Sequence, residues 1–176
     1  TPGSSAVVIP NFSLGSVLAT GFAAIAAKHF EAAEIIEAHH EGKADSPSGT
    51  AVRTAELMLA ARNELGPFSA PHVDQRARGQ QVASVPVHSL RLPGVVAKQD
   101  VVFGGVGETL TISHTTLSSS SYEAGIRLAL RRAAAANGEV IVGLDAVLGI
   151  DVALGLPGAA APEPLPTRTA DPEADA

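Results

Sequence analysis

The sequence predicts an α+β domain: a two-layer α/β arrangement in which a mixed sheet of about four strands carries helices on one face. Three observations predict it. Apolar residues recur at helical spacing in three separate stretches. Between those stretches lie β-branched or alternating segments bounded by Gly and Pro. The 176 residues are 45% hydrophobic and only 17% charged, enough for one buried core without staples.

The elements follow in chain order. Val7 to Ile9 is a short apolar run stopped by Pro10-Asn11. Ser13 can cap the helix predicted over Leu14 to Phe30, where Val17, Leu18, Phe22, Ile25 and Ala26 recur at helix spacing. Ala33 to Ala38 reads as a strand ending in His39-His40, and a polar loop follows. Ala51 to Leu65 is the clearest helix, striped by Leu57, Met58, Ala61 and Leu65 and closed by Gly66-Pro67. Phe68 to Ala83 has no period and reads as a long excursion.

Three strands come next, over Ser84 to Leu92, Val95 to Phe103 and Glu108 to His114, and their order suggests an antiparallel meander. Gly104-Gly105-Val106-Gly107 joins two of these strands. It therefore reads as a hairpin turn and not as a dinucleotide loop, which leads from strand to helix. Tyr122 to Ala136 is the last full helix, ended by Asn137-Gly138. Val140 to Ile150 reads as a short strand or turn plus a half-helix. Helices on one face leave the other face bare, so a second copy of the chain is the expected cover.

Composition excludes several functions. The net charge is -6, from 12 basic and 18 acidic residues, and no basic run could track a phosphate backbone, so nucleic acid is not an expected partner. No apolar run is long enough to span a membrane. There is no cysteine, hence no disulfide and no thiolate nucleophile, which suits a reducing, cytoplasmic setting. After about Gly155 the Pro- and Ala-rich composition predicts a disordered tail over 156–176.

The chemistry concentrates between Glu34 and Thr50. Strand alternation puts Glu37 and His39 on one face, and Ala38 and His40 on the other. The two imidazoles can thus do different jobs, one as an acid and one as a hydrogen-bond donor. Lys43 follows in a Gly-flanked loop and can turn its ammonium to the same cavity. Ser48-Gly49-Thr50 precedes a helix whose first free N–H groups attract an anion. Together these suit a carboxylate or phosphate. A metal held by His39, His40 and Asp45 is the competing reading, but adjacent strand histidines rarely converge on one ion, and no metal is expected.

The spacing His39-His40-x-x-Lys43-x-Asp45-x-Pro47-Ser48-Gly49-Thr50, eight fixed residues in twelve, resembles the signature of the dihydrodipicolinate reductase family, also called 4-hydroxy-tetrahydrodipicolinate reductase. Pro10-Asn11-Phe12-Ser13 upstream, Arg91, Phe103-Gly104, Gly107-Glu108 and His114 extend the likeness over roughly Val7 to Ile150. The resemblance implies the C-terminal substrate-binding and tetramerisation domain of that enzyme. It implies NADPH- or NADH-dependent reduction of a cyclic dicarboxylate in lysine and diaminopimelate biosynthesis.

By the same resemblance, His39 is the proton donor and His40 holds a substrate carboxylate. Lys43 assists the acid, and Gly49 with Thr50 cradles the second carboxylate. Asn11, Phe12 and Ser13 lie near the nicotinamide. Residues 1–13 are then the junction to a dinucleotide-binding half that this chain lacks, and 14–155 form the substrate-binding and oligomerisation domain. The chain alone is expected to be inactive. The alternative is a non-catalytic carboxylate-binding or assembly domain derived from that family.

Overall fold

A computed structural model describes residues 4–150; the tail predicted over 156–176, and the end of the domain predicted to 155, lie outside the described residues. The elements run β1 (Ala6–Val8), α1 (Leu14–Ala26), β2 (Ala32–His39), α2 (Gly49–Arg62), β3 (Gln80–Val82), β4 (Val85–Arg91), β5 (Ala97–Gly105), β6 (Glu108–Thr116), α3 (Glu123–Ala135), β7 (Val140–Val142) and α4 (Leu144–Leu148). The α+β class stands, with two corrections. The main sheet has five strands, not four, in the order β3-β4-β2-β5-β6, and β1 pairs with β7 in a separate parallel ribbon.

The expected meander holds only for β5 and β6. β4 runs parallel to β2, with Ile35 opposite Val87 and His39 opposite Arg91. β2 therefore separates β4 from β5, with which it pairs antiparallel. The reason is burial. Ala33, Ile35, Glu37 and Ala38 are all buried, and such a strand gains most from the centre of the sheet. The Phe68–Ala83 excursion is not wholly loop: it holds a 3-10 turn at Arg76–Arg78 and edge strand β3.

Helices α1 and α2 pack on one face of this sheet and on each other. The small residues Ala23, Ala26, Ala27, Ala51 and Ala55 let them approach closely over Ile35, Val87, Val101 and Phe103. The Phe30 and Phe103 rings lie 5.4 Å apart. Truncating Phe103, which is fully buried, would cost about 3–5 kcal/mol. Arg62 closes the end of α2 by donating to the carbonyls of Ala27, Phe30 and Gly66. The opposite sheet face stays open, with Ile36 and Leu90 exposed on it.

Helix α3 does not help to cover the sheet. It packs against β1 and α4. Gly125 permits this approach: a Cβ there would stand 2.0 Å from the Phe12 carbonyl oxygen. The segment expected to be a mere junction is thus tied to the end of the described chain, through β1–β7 pairing and this helix contact.

Candidate functional site

The site forms where β2 ends and α2 begins. Ser48 caps α2, its hydroxyl accepting from the Ala51 N–H at 3.2 Å, so the first helical turn points back at the strand end. A cavity of about 620 Å³ opens there, a size usual for small-molecule sites. His39, Lys43, Gly49 and Thr50 all line it, so four of the residues singled out in the sequence come together. Arg53, one turn along α2, lines it as well and brings a second cation; sequence reasoning passed it over. Its spacing three residues after Thr50 was the available signal.

A second cavity of about 260 Å³ shares His39, Ser48 and Thr50 with the first. Asn11, Phe12 and Ser13 line it, together with Gln99 and His114. Ser13 also caps α1, and its Oγ lies 3.3 Å from His114 Nε2. Burial lowers the His114 pKa below its ordinary value. Gln99 is buried with its Nε2 donating to Thr54 Oγ1 at 3.0 Å, while its Oε1 has no partner among the described residues.

His40 lies elsewhere. It is exposed, beside Gly42, and lines neither cavity. The alternation of the strand separates it from His39, as its position next in sequence requires.

Each cation of the large cavity faces an acid: Lys43 faces the exposed Asp45, and Arg53 lies 3.8 Å from Asp145. Lys43 Nζ donates to Asp45 Oδ1 at 2.7 Å. Hydrogen bonding from Lys43, with help from the backbone N–H of Gly49, holds the Asp45 carboxyl below the usual carboxylate range. An internal carboxylate therefore sits on the ammonium, close to the start of α2. The Asp45–Lys43 pair is solvent-exposed on the acid's side, so exchanging Asp45 for an incoming carboxylate costs little.

Behind the cavity lies Glu37, fully buried. Its Oε2 lies 2.6 Å from His39 Nδ1, and its Oε1 accepts from the Ser48 N–H at 3.2 Å. Arg91, from the neighbouring strand, donates to both oxygens at 2.9 and 3.0 Å. Among the described residues no group of three or more His, Cys, Asp or Glu side chains could hold a metal ion, and no helix is long and apolar enough to cross a membrane.

Comparison with known proteins agrees with this architecture. Residues 15–148, more than half of the chain, match the family model described as dihydrodipicolinate reductase, C-terminus. The chain is 68% identical over 145 residues to the 4-hydroxy-tetrahydrodipicolinate reductase of Clavibacter michiganensis subsp. michiganensis, covering 82% of this chain and 52% of that protein. It is 48% identical over 153 residues to the enzyme of the same name from Thermobifida fusca, covering 85% and 62%. A solved structure, the dipicolinate-bound dihydrodipicolinate reductase from Paenisporosarcina sp. TG-14, superposes with a TM-score of 0.69 at 36% identity, covering 82% of this chain and 54% of that one. The chain thus spans about half the length of these relatives. By sequence and by fold, it belongs to the dihydrodipicolinate reductase family, whose C-terminal domain it matches.

Proposed function

We propose that this chain supplies the substrate-binding half of a nicotinamide-dependent reductase that converts 4-hydroxy-tetrahydrodipicolinate to tetrahydrodipicolinate, a cytoplasmic step of lysine and diaminopimelate biosynthesis. One observation carries the reading: an imidazole, an ammonium, a guanidinium and a helix N-terminus line a single cavity, where only the side chains of Asp45 and Asp145 face the two cations. A ring with two carboxylates needs that combination. One carboxylate sits on Lys43 and the Gly49–Thr50 turn in place of Asp45, where the ammonium offers a charge-assisted hydrogen bond. The relative from Paenisporosarcina sp. TG-14 is described as dipicolinate-bound, and dipicolinate is such a ring.

His39 is the proton donor in this reading, since it lines both cavities and so borders substrate and cofactor alike. His40 contributes to the second carboxylate only if its ring turns over the loop towards the cavity. The smaller cavity suits the nicotinamide end of NADPH or NADH. Asn11 and Ser13 bring polar groups to its wall, and Phe12 an apolar ring. The cofactor, when bound, supplies hydride. Its phosphates would lie on a dinucleotide-binding half outside this chain, for no glycine-rich strand-to-helix turn occurs among the described residues. A second copy of the chain would cover the open sheet face, giving the homotetramer that the resemblance implies.

Calorimetry with pyridine-2,6-dicarboxylate tests the proposal. The chain should bind this diacid, and Lys43→Ala should weaken binding about 10- to 100-fold, the worth of one charge-assisted hydrogen bond. No binding by the parent chain would overturn the reading.

A further inference from the structure

Glu37 takes no part in the roles above, yet its burial is costly. Its neighbours on the same strand face are Ala33 and Ile35, and a third apolar residue would have filled the space. Burial raises the Glu37 pKa, but hydrogen bonds from Arg91, Ser89 and His39 outweigh it and hold the group below the ordinary carboxylate range. The side chain is therefore an anion with no solvent contact, and it survives only because its oxygens are satisfied.

The bonds from His39, Ser48 and Arg91 lead to working parts of the cavity. One oxygen receives His39 Nδ1, and the other receives the N–H of Ser48, at the start of α2. Arg91, held by both oxygens, donates onward to the carbonyls of Lys43 at 3.3 Å and Asp45 at 2.6 Å. Imidazole, helix start and lysine loop are thus referred to a single carboxylate.

We propose that Glu37 is the positioning residue of this site: it keeps the Nδ1 proton of His39 turned inward, leaving Nε2 to the cavity, and with Arg91 it anchors the loop bearing Lys43. The catalytic meaning of this assignment rests on the reductase reading; the tautomer does not. In the imidazolium both nitrogens carry protons. The one on Nδ1 stays shared with Glu37, so the Nε2–H bond is the one that breaks when the substrate takes a proton. The ring is left neutral, with a lone pair on Nε2 for a solvent proton to refill. Glu37 gains no proton, because Arg91 already compensates its charge. Its part resembles that of an acid that orients a catalytic imidazole without relaying its proton.

The test is nitrogen-15 NMR of the histidine rings in this chain, with His39 assigned through His39→Gln. At a pH where the ring is neutral, Nδ1 should carry the proton and Nε2 should show the signal of an unprotonated nitrogen. In Glu37→Gln the ratio of the two tautomers should move towards Nε2–H by about tenfold or more. Glu37→Gln leaves the partly buried guanidinium of Arg91 without its counter-charge, so Glu37→Gln/Arg91→Met, which removes both charges, serves as the second variant. Glu37→Asp should restore part of the original ratio.

A parent chain with its proton on Nε2 would overturn the proposal, and so would a folded double variant with an unchanged ratio. Titration with pyridine-2,6-dicarboxylate separates the two claims. Absent binding with the expected tautomer sinks the reductase reading alone. Intact binding with the wrong tautomer sinks the role of Glu37 alone.

Discussion

Glu34 and Glu37 lie three residues apart on β2, and each is paired with one histidine and one arginine. Glu34 accepts from Arg78 and lies 2.7 Å from His88 Nε2 on the open face of the sheet. Glu37 joins His39 and Arg91 beneath the helices. The residue types are the same, but the surroundings are not. Glu34 keeps about a third of its side chain in solvent, and Glu37 keeps none. Water can replace any partner that Glu34 loses. Nothing replaces a partner of Glu37, and that makes its geometry rigid. A triplet of acid, histidine and arginine is therefore not in itself a site. Enclosure, and a cavity on the far side of the imidazole, separate the two.

The sharpest way to break this comparison is to remove each acid in turn. Glu37→Ala should lower stability by about 3 kcal/mol, because the partly buried Arg91 is left without its counter-charge. Glu34→Ala should cost about 1 kcal/mol or less, since solvent reaches that cluster. Equal losses in urea denaturation would mean that enclosure does not set them apart.

Acid provides the next test. The folded Glu37 and Glu34 both titrate below their unfolded values. Each contributes stability that is complete above the unfolded carboxylate pKa and is lost as pH falls through the lower folded value. His114 has a depressed pKa too, so it stays neutral in the fold and favours the unfolded chain once that chain's histidine is protonated. Thermal melts should therefore begin to weaken below about pH 6.5 through His114, then more steeply below about pH 4.5 through the acids. His114→Gln should abolish the first phase and leave the second.

The smallest expected effect concerns the exposed acid of the cavity. Asp45→Asn removes the carboxylate that pairs with Lys43. Affinity for pyridine-2,6-dicarboxylate should rise by a few-fold, about the worth of one exposed ion pair. The matching change on the open face, Glu34→Gln, should leave that affinity unchanged. A gain from Glu34→Gln would show that the two faces are coupled.

Much of the local structure was legible beforehand. Helix α2 was expected from Ala51 and begins two residues earlier, at Gly49, while its Leu57 and Met58 are buried as expected. Alternation placed Glu37 with His39 and turned His40 away, and the structure has His39 at the cavity and His40 in solvent. The grouping of Lys43, Gly49 and Thr50 was visible because twelve consecutive residues can meet without help from the rest of the chain. Arg91 was different. It lies 54 residues from Glu37, and nothing in its own strand says which acid it will meet. Gln99 and Arg53 were missed for a like reason: one looks like a strand residue and the other like a solvated helix residue.

The sequence by itself determined which residues share a face and, through Ser13, where α1 starts, because side-chain period and capping are properties of neighbours in the chain. Only the tertiary structure decided that β2 lies between β4 and β5, and with that choice it brought Arg91 beside Glu37 and Gln99 beside the smaller cavity. Periodicity specifies the face that a strand buries. Its neighbours are chosen by competition for the most buried place in the sheet, and that competition is settled only when the whole core packs at once.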